Sequence, residues 1–162
     1  MKILGIDHIG IAVENLEEAL RFYCERLGLR ADAIEEIPEY GIRLCRVHAG
    51  PIYLELIEAR DWNTTMQRSL PHQGPGVYHV GLRVDDVDAC IAELERQDVA
   101  LLDHEPREGD DMRIAYLAPG SAHGALLELV TRRKKAADHA EGSRSAGKKA
   151  ADHAGERRPR RR

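Results

Sequence analysis

The 162-residue chain is 43% hydrophobic with one Phe, one Trp and a formal charge of −4, which suits one domain or two halves too small to bury separate cores. Three cysteines without Cys-x-x-Cys spacing exclude a disulfide framework and a thiolate zinc site. The apolar runs are strand-length and broken by His, Glu or Arg, which excludes a membrane-spanning segment, and Asp7 arrives too early for a signal-peptide core, so a cytoplasmic location is expected.

Residues 6–13, Ile-Asp-His-Ile-Gly-Ile-Ala-Val, read as a strand that turns His8 inward and Asp7 and Ile9 to the other face. Asn15 with Glu18 three residues on gives an N-cap, and Leu16, Ala19, Leu20, Tyr23, Cys24 and Leu27 recur at helical spacing until Gly28. Extended runs follow near 31–37, 42–48 and 52–58, punctuated by Pro38 and the Ala49-Gly-Pro51 turn. The first module, about residues 3–59, therefore has the order βαβββ. From Arg60 to Gly76 the periodicity lapses into a linker with room for a short helix around Met66 and Leu70. The second module, about residues 77–131, repeats the order: a strand at 77–84, a helix at 86–97 with Val87, Cys90, Ile91 and Leu94 inward, and extended runs near 99–104, 112–118 and 124–130. Cys24 and Cys90 fall at core-facing helical positions, and Cys45 on a strand near the expected site. Residues 132–162 hold twelve Lys or Arg against four Asp or Glu, which leaves residues 1–131 at about −12. The run Lys-Lys-Ala-Ala-Asp-His-Ala occurs twice there, at 134–140 and 148–154. Such a segment reads as a basic disordered tail with too little apolar surface to fold alone.

The two modules match residue by residue at the positions that carry chemistry. Ile6-Asp-His-Ile-Gly-Ile-Ala-Val13 is answered by Val77-Tyr-His-Val-Gly-Leu-Arg-Val84, and Tyr53-Leu-Glu-Leu-Ile57 by Leu126-Leu-Glu-Leu-Val130. The chain is a duplication. A buried carboxylate in the middle of an apolar strand is costly unless it is protonated or bound to a cation, and Glu55 and Glu128 each stand in such a place. With His8 and His79 they form a four-ligand set for one divalent metal at the interface between modules. The other histidines, His48, His72, His104, His123, His139 and His153, lack the symmetry and read as surface or loop residues, with His123 the nearest to the pocket.

The paired βαβββ modules and this His, Glu, His, Glu set resemble the vicinal oxygen chelate superfamily (glyoxalase, bleomycin resistance, dioxygenase), and within it the methylmalonyl-CoA epimerases. The likeness runs through most of residues 3–131 and is strongest in Ile6–Val13, Tyr78–Asp86, Glu105-Pro-Arg107 with Gly109, and Gly124–Leu129. It implies an α+β fold in which a curled mixed sheet surrounds the metal site. It also implies His8, Glu55, His79 and Glu128 as ligands, cobalt, manganese or zinc as the metal, an acyl-CoA substrate and a homodimer. The implied reaction interconverts the C2 epimers of methylmalonyl-CoA through a metal-stabilised enolate, with Glu128 as one base; either Glu55 is the second or the activity differs. Some epimerases carry a glutamate on the third strand of the first module, where this chain has Leu44 between Arg43 and Cys45. A Gly-Ala-His-Gly loop of the family is Gly109-Asp-Asp-Met112 here, and its His-Pro pair is Ala118-Pro119.

Three alternatives share the fold. Glyoxalase I uses an equivalent ligand set, so only substrate separates it from an epimerase. An iron dioxygenase of this fold needs a two-His, one-carboxylate set, against which the fourth ligand argues. A drug-sequestering module would lack the ligands altogether. Residues 1–131 show no nucleic-acid module and carry the wrong charge for one; only the basic tail offers phosphate-binding chemistry. Arg43, Arg46 and Arg113 are the candidates for CoA phosphate contacts.

Overall fold

The structure, a computed structural model, describes residues 1–60, 74–109 and 111–133. The short helix expected around Met66 and Leu70 and the tail beyond Arg133 lie outside these residues. The first half runs β1 (Ile3–Ala12), α1 (Leu16–Leu20) continuing into a π-helical segment (Arg21–Arg26), β2 (Arg30–Ala31), β3 (Glu35–Ile37), a 3-10 turn (Pro38–Tyr40), β4 (Ile42–Ala49) and β5 (Ile52–Ala59). The second runs β6 (Gly76–Val84), α2 (Val87–Arg96), β7 (Arg107–Glu108), β8 (Met112–Tyr116), a 3-10 turn (Pro119–Ala122) and β9 (Leu127–Arg132).

All nine strands join one mixed sheet in the order β2-β4-β5-β1-β6-β9-β8-β7, with β3 on the outer edge of β4. Within each module the first strand lies parallel to the last, β1 beside β5 and β6 beside β9. The two first strands then pair antiparallel at the centre of the sheet, which creates the pseudo-twofold axis. Both helices cover one face. Leu16 of α1 packs with Cys45, Val47 and Leu56, and α2 packs Val87, Cys90, Ile91 and Leu94 against Ala115, Leu117 and Leu129. The opposite side chains of the same strands, such as Leu44 and Ile57, form the concave face.

Local sequence explains most of these elements. The Asn15 side chain accepts the Glu18 N–H at 2.7 Å, and Asp86 caps α2 in the same way on Ala89 at 3.1 Å. The first helix departs from the expected α-helix over its second half. Leu27 N–H bonds the Phe22 carbonyl five residues back, and this wider turn shifts the helical register. Leu27, expected inward, is consequently exposed, and Cys24 is only partly buried, while Gly28 ends the segment at φ +71°. Cys45 is buried on the helix-packed face of β4, away from the concave face, and Cys90 lies in the α2 core as expected. The extended run expected at 99–104 reduces to one bridge, Leu101 to Leu117, and Arg107–Glu108 supplies the outer strand instead. The last strand extends one residue beyond the expected boundary at Thr131, because Arg132 pairs with Met112 in the β8–β9 ladder and its side chain is bonded to Asp7. Among the described residues no helix is long and apolar enough to cross a membrane.

Candidate metal centre

The central antiparallel pair places the two histidines. His8 stands opposite Gly81 and His79 opposite Gly10, so each imidazole lies across the glycine of the other module. A methyl group on Gly10 would sit 2.3 Å from His79 Cε1, and one on Gly81 2.5 Å from His8 Cε1. The Nε2 atoms of the two rings meet at 2.8 Å, with the rings at 87°. From β5 and β9, the strands flanking this pair, Glu55 Oε2 comes to 3.8 Å and Glu128 Oε2 to 2.9 Å of His8 Nε2, and Glu128 Oε2 to 3.7 Å of His79 Nε2. All four side chains are buried. The structure thus brings together the four residues singled out in the sequence.

Two β-bulges shape this arrangement. The β1–β6 register slips by one between Ile6 and His8 and again between Gly10 and Ile11, leaving Asp7 and Tyr78 as the extra residues just before each histidine. Strict alternation would send Asp7 to the far face. The bulge instead lets its buried carboxylate accept from His8 Nδ1 at 3.1 Å, while Arg132 holds the same carboxylate with bonds of 2.6 and 3.1 Å. Tyr78 offers no such acceptor, and Nδ1 of His79 is buried without a partner among the described residues.

The charges follow from these contacts. Burial disfavours a cation at His8, but the hydrogen bond to Asp7 and the approach of Glu128 and Glu55 outweigh it and push its pKa up to about 10. Burial dominates at His79 and drives it down to about 4. The carboxylates move in opposite directions. Burial and the Glu128 charge raise Glu55, whereas at Glu128 the histidines and the Tyr116 hydroxyl overcome burial and lower it. Burial also opposes charge on Asp7, yet His8 and Arg132 hold it far below the usual carboxylate range.

This donor set fits a divalent cation. His8, Glu55 and His79 present ligand atoms all within 4.8 Å of one another, and buried Glu128 Oε2 has a close nitrogen but no aligned donor. Convergent, buried imidazole and carboxylate atoms suit a cation better than one another.

Above the floor lies a cavity of about 780 Å³ lined from both modules. Ile42, Leu44, Ile57, Met112, Ile114 and Leu126 form its apolar walls, and Glu35, Glu36, Glu39, Glu108 and Asp111 an acidic rim. In the β4–β5 ladder Leu44 faces Ile57 and Arg46 faces Glu55; in β8–β9 Ile114 faces Val130 and Tyr116 faces Glu128. The modules therefore differ at the residue beside each carboxylate. Arg43 and Arg113 do not line the cavity, being paired with Glu17 and Glu58 and with Asp88 and Glu108. Arg46 and Arg107 do. His123, expected near the pocket, is exposed on a left-handed turn outside it. Sequence reasoning missed Asp7, Tyr116 and Arg107. Asp7 escapes detection because a bulge is invisible to period-2 reading, while the mid-strand pairing of Tyr116 with Glu128 follows from register.

The chain is 33% identical to an uncharacterised protein of Bacillus subtilis over 125 residues, 76% of this chain and 89% of the other. It is 27% identical to human mitochondrial methylmalonyl-CoA epimerase over 126 residues, 76% and 72% of the two chains. A solved methylmalonyl-CoA epimerase in complex with methylmalonyl-CoA and NH4+ superposes with a TM-score of 0.72 at 34% identity, covering 81% of this chain and 96% of that one. The family model of the Glyoxalase/Bleomycin resistance protein/Dioxygenase superfamily matches residues 7–116, and the chain belongs to that superfamily.

Proposed function

We propose that the protein is a metal-dependent epimerase acting at C2 of a 2-carboxyacyl-CoA thioester, with methylmalonyl-CoA as the substrate its relatives support best. The observation that carries this reading is the meeting of two carboxylates from opposite modules at the floor of one cavity, 3.8 and 2.9 Å from the same His8 nitrogen. Inverting a carbon requires removal of a proton from one face and its return to the other. Glu128 takes the C2 proton onto a carboxylate oxygen while the C–H electron pair passes into the thioester carbonyl. Glu55, arriving from the other module, returns a proton to the opposite face. Leu44 cannot take that part, and it lines the wall beside Ile57 instead. His8, Glu55, His79 and Glu128 would hold the metal, and each carboxylate has a second oxygen left for the carbon. When bound, a divalent cation such as cobalt, manganese or zinc supplies Lewis acidity to the substrate oxygens and so acidifies the C2 proton. A homodimer, by resemblance to the superfamily, and a cytoplasmic location, from the early Asp7 in the N-terminal segment, complete the reading.

The test is deuterium uptake from D₂O at C2 of methylmalonyl-CoA by cobalt-loaded protein, beside an assay with methylglyoxal and glutathione. Uptake by the wild type that is lost in Glu128→Gln supports the epimerase. Absence of uptake, with methylglyoxal and glutathione consumed, replaces it with glyoxalase I.

A further inference from the structure

The neighbouring arginines hold carboxylates at close hydrogen-bond distance. Arg107 makes two bonds to Asp103 at 2.7 and 3.0 Å, and Arg132 makes three to Asp7 and Asp111 between 2.6 and 3.1 Å. Arg46 is different. Its carboxylate neighbours Glu35, Glu55 and Asp111 stand off at 3.5, 3.6 and 3.7 Å, and only Glu35 has the alignment of a hydrogen bond. Its Nε is buried with no acceptor among the described residues. Each neighbour is also committed elsewhere. Asp111 accepts from Arg132 at 2.8 Å, Glu55 turns its other oxygen toward His8, and Glu35 is largely exposed. A guanidinium has five donors in a planar fork, and here most of them lack an acceptor among the described residues on the wall of the cavity.

We propose that Arg46 is the receptor for the carboxylate borne by the reacting carbon, and so the residue that selects 2-carboxyacyl thioesters over plain acyl thioesters. This rests on the epimerase reading and deepens it. The fork matches a carboxylate bidentately, which a lysine could not do. Arg46 lies directly across the ladder from Glu55, so a carboxylate held there brings its carbon beside the group that returns the proton. Distance points the same way: Arg107 holds Asp103 at 2.7 Å, whereas the carboxylates around Arg46 stand off at 3.5 to 3.7 Å, so a substrate carboxylate can come closer to Arg46 than any of them does.

Methylmalonyl-CoA and propionyl-CoA differ only by this carboxylate, and calorimetry on the metal-loaded full chain measures both. The wild type should prefer methylmalonyl-CoA by roughly 10- to 100-fold. Arg46→Met should bring the ratio near one with propionyl-CoA affinity unchanged, and Arg46→Lys should restore part of it. A purely structural Arg46 would weaken both ligands together, and a preference that survives Arg46→Met overturns the proposal; Arg46→Gln, judged by the same ratio, replaces Arg46→Met should that protein not fold. If the wild type binds neither thioester, the epimerase reading fails by itself, and CoA-free probes decide the role of Arg46. The monomethyl ester of methylmalonate should then shift wild-type NMR resonances at concentrations where the dimethyl ester does not, and lose that advantage in Arg46→Met. Equal behaviour of the two esters in the wild type overturns the proposal.

Discussion

His8 lies over Gly81 and His79 over Gly10, so each module's histidine occupies the space left by the missing side chain of the other. Gly81→Ala would place its methyl 2.5 Å from His8 Cε1, and the ring must swing away from the floor. Divalent-metal affinity should fall by roughly 10- to 100-fold, as for other changes that misorient a ligating imidazole. Dialysis followed by metal analysis measures it, with the melting temperature of the metal-free protein as the control. Full occupancy in the variant would show that the rings do not need the glycine.

Asp7→Asn removes the carboxylate that His8 Nδ1 meets at 3.1 Å while keeping its shape. Metal affinity should drop by about 10- to 100-fold. The pKa of metal-free His8 should also fall from its raised value, since one of the charges holding it there is gone. The Cε1 and Cδ2 proton shifts of the His8 ring, followed by NMR against pH, check the second part independently of the first.

The two histidines start from different protonation states. Without metal, His8 holds a proton up to about pH 10, while His79, at about 4, is already neutral. A ligand nitrogen must be unprotonated, so uptake between pH 7 and 9 should expel a proton from His8. The sign is fixed: affinity rises with pH, by about tenfold per unit for one proton. Calorimetry in two buffers of unlike ionisation enthalpy counts the proton, and identical heats would refute the assignment.

Leu16 is the fully buried anchor of α1, packed against Cys45, Val47 and Leu56. Leu16→Ala should cost about 2–5 kcal/mol, read by urea denaturation of the metal-free protein. A loss below 1 kcal/mol would mean that the short helix closes over the gap.

Repetition made the site legible before any fold was known. One His-x-Gly and one apolar-Glu-apolar strand are unremarkable singly, but their recurrence at separations of 71 and 73 residues marks His8, His79, Glu55 and Glu128. The Asn15 cap of the first helix was equally readable. Asp7 was not, because the bulge that rotates it toward His8 arises from the pairing of β1 with β6 and has no trace in either strand alone. The π segment of the first helix hid in the same way, since Leu27 continues an apolar period that the backbone abandons after Leu20. The stub at 99–104 failed for want of a partner strand longer than one bridge.

The candidate ligand atoms come two from each half, and the shortest contact among them, His8 to His79, spans 71 positions of chain. Among these four residues each half supplies one imidazole and one carboxylate. Loop-closure entropy makes such distant contacts late arrivals during folding, so the centre comes into being only once the halves have zipped along β1 and β6. Metal uptake in a refolding experiment is therefore a clock for that final assembly, and it would stay silent while each half organises its own strands.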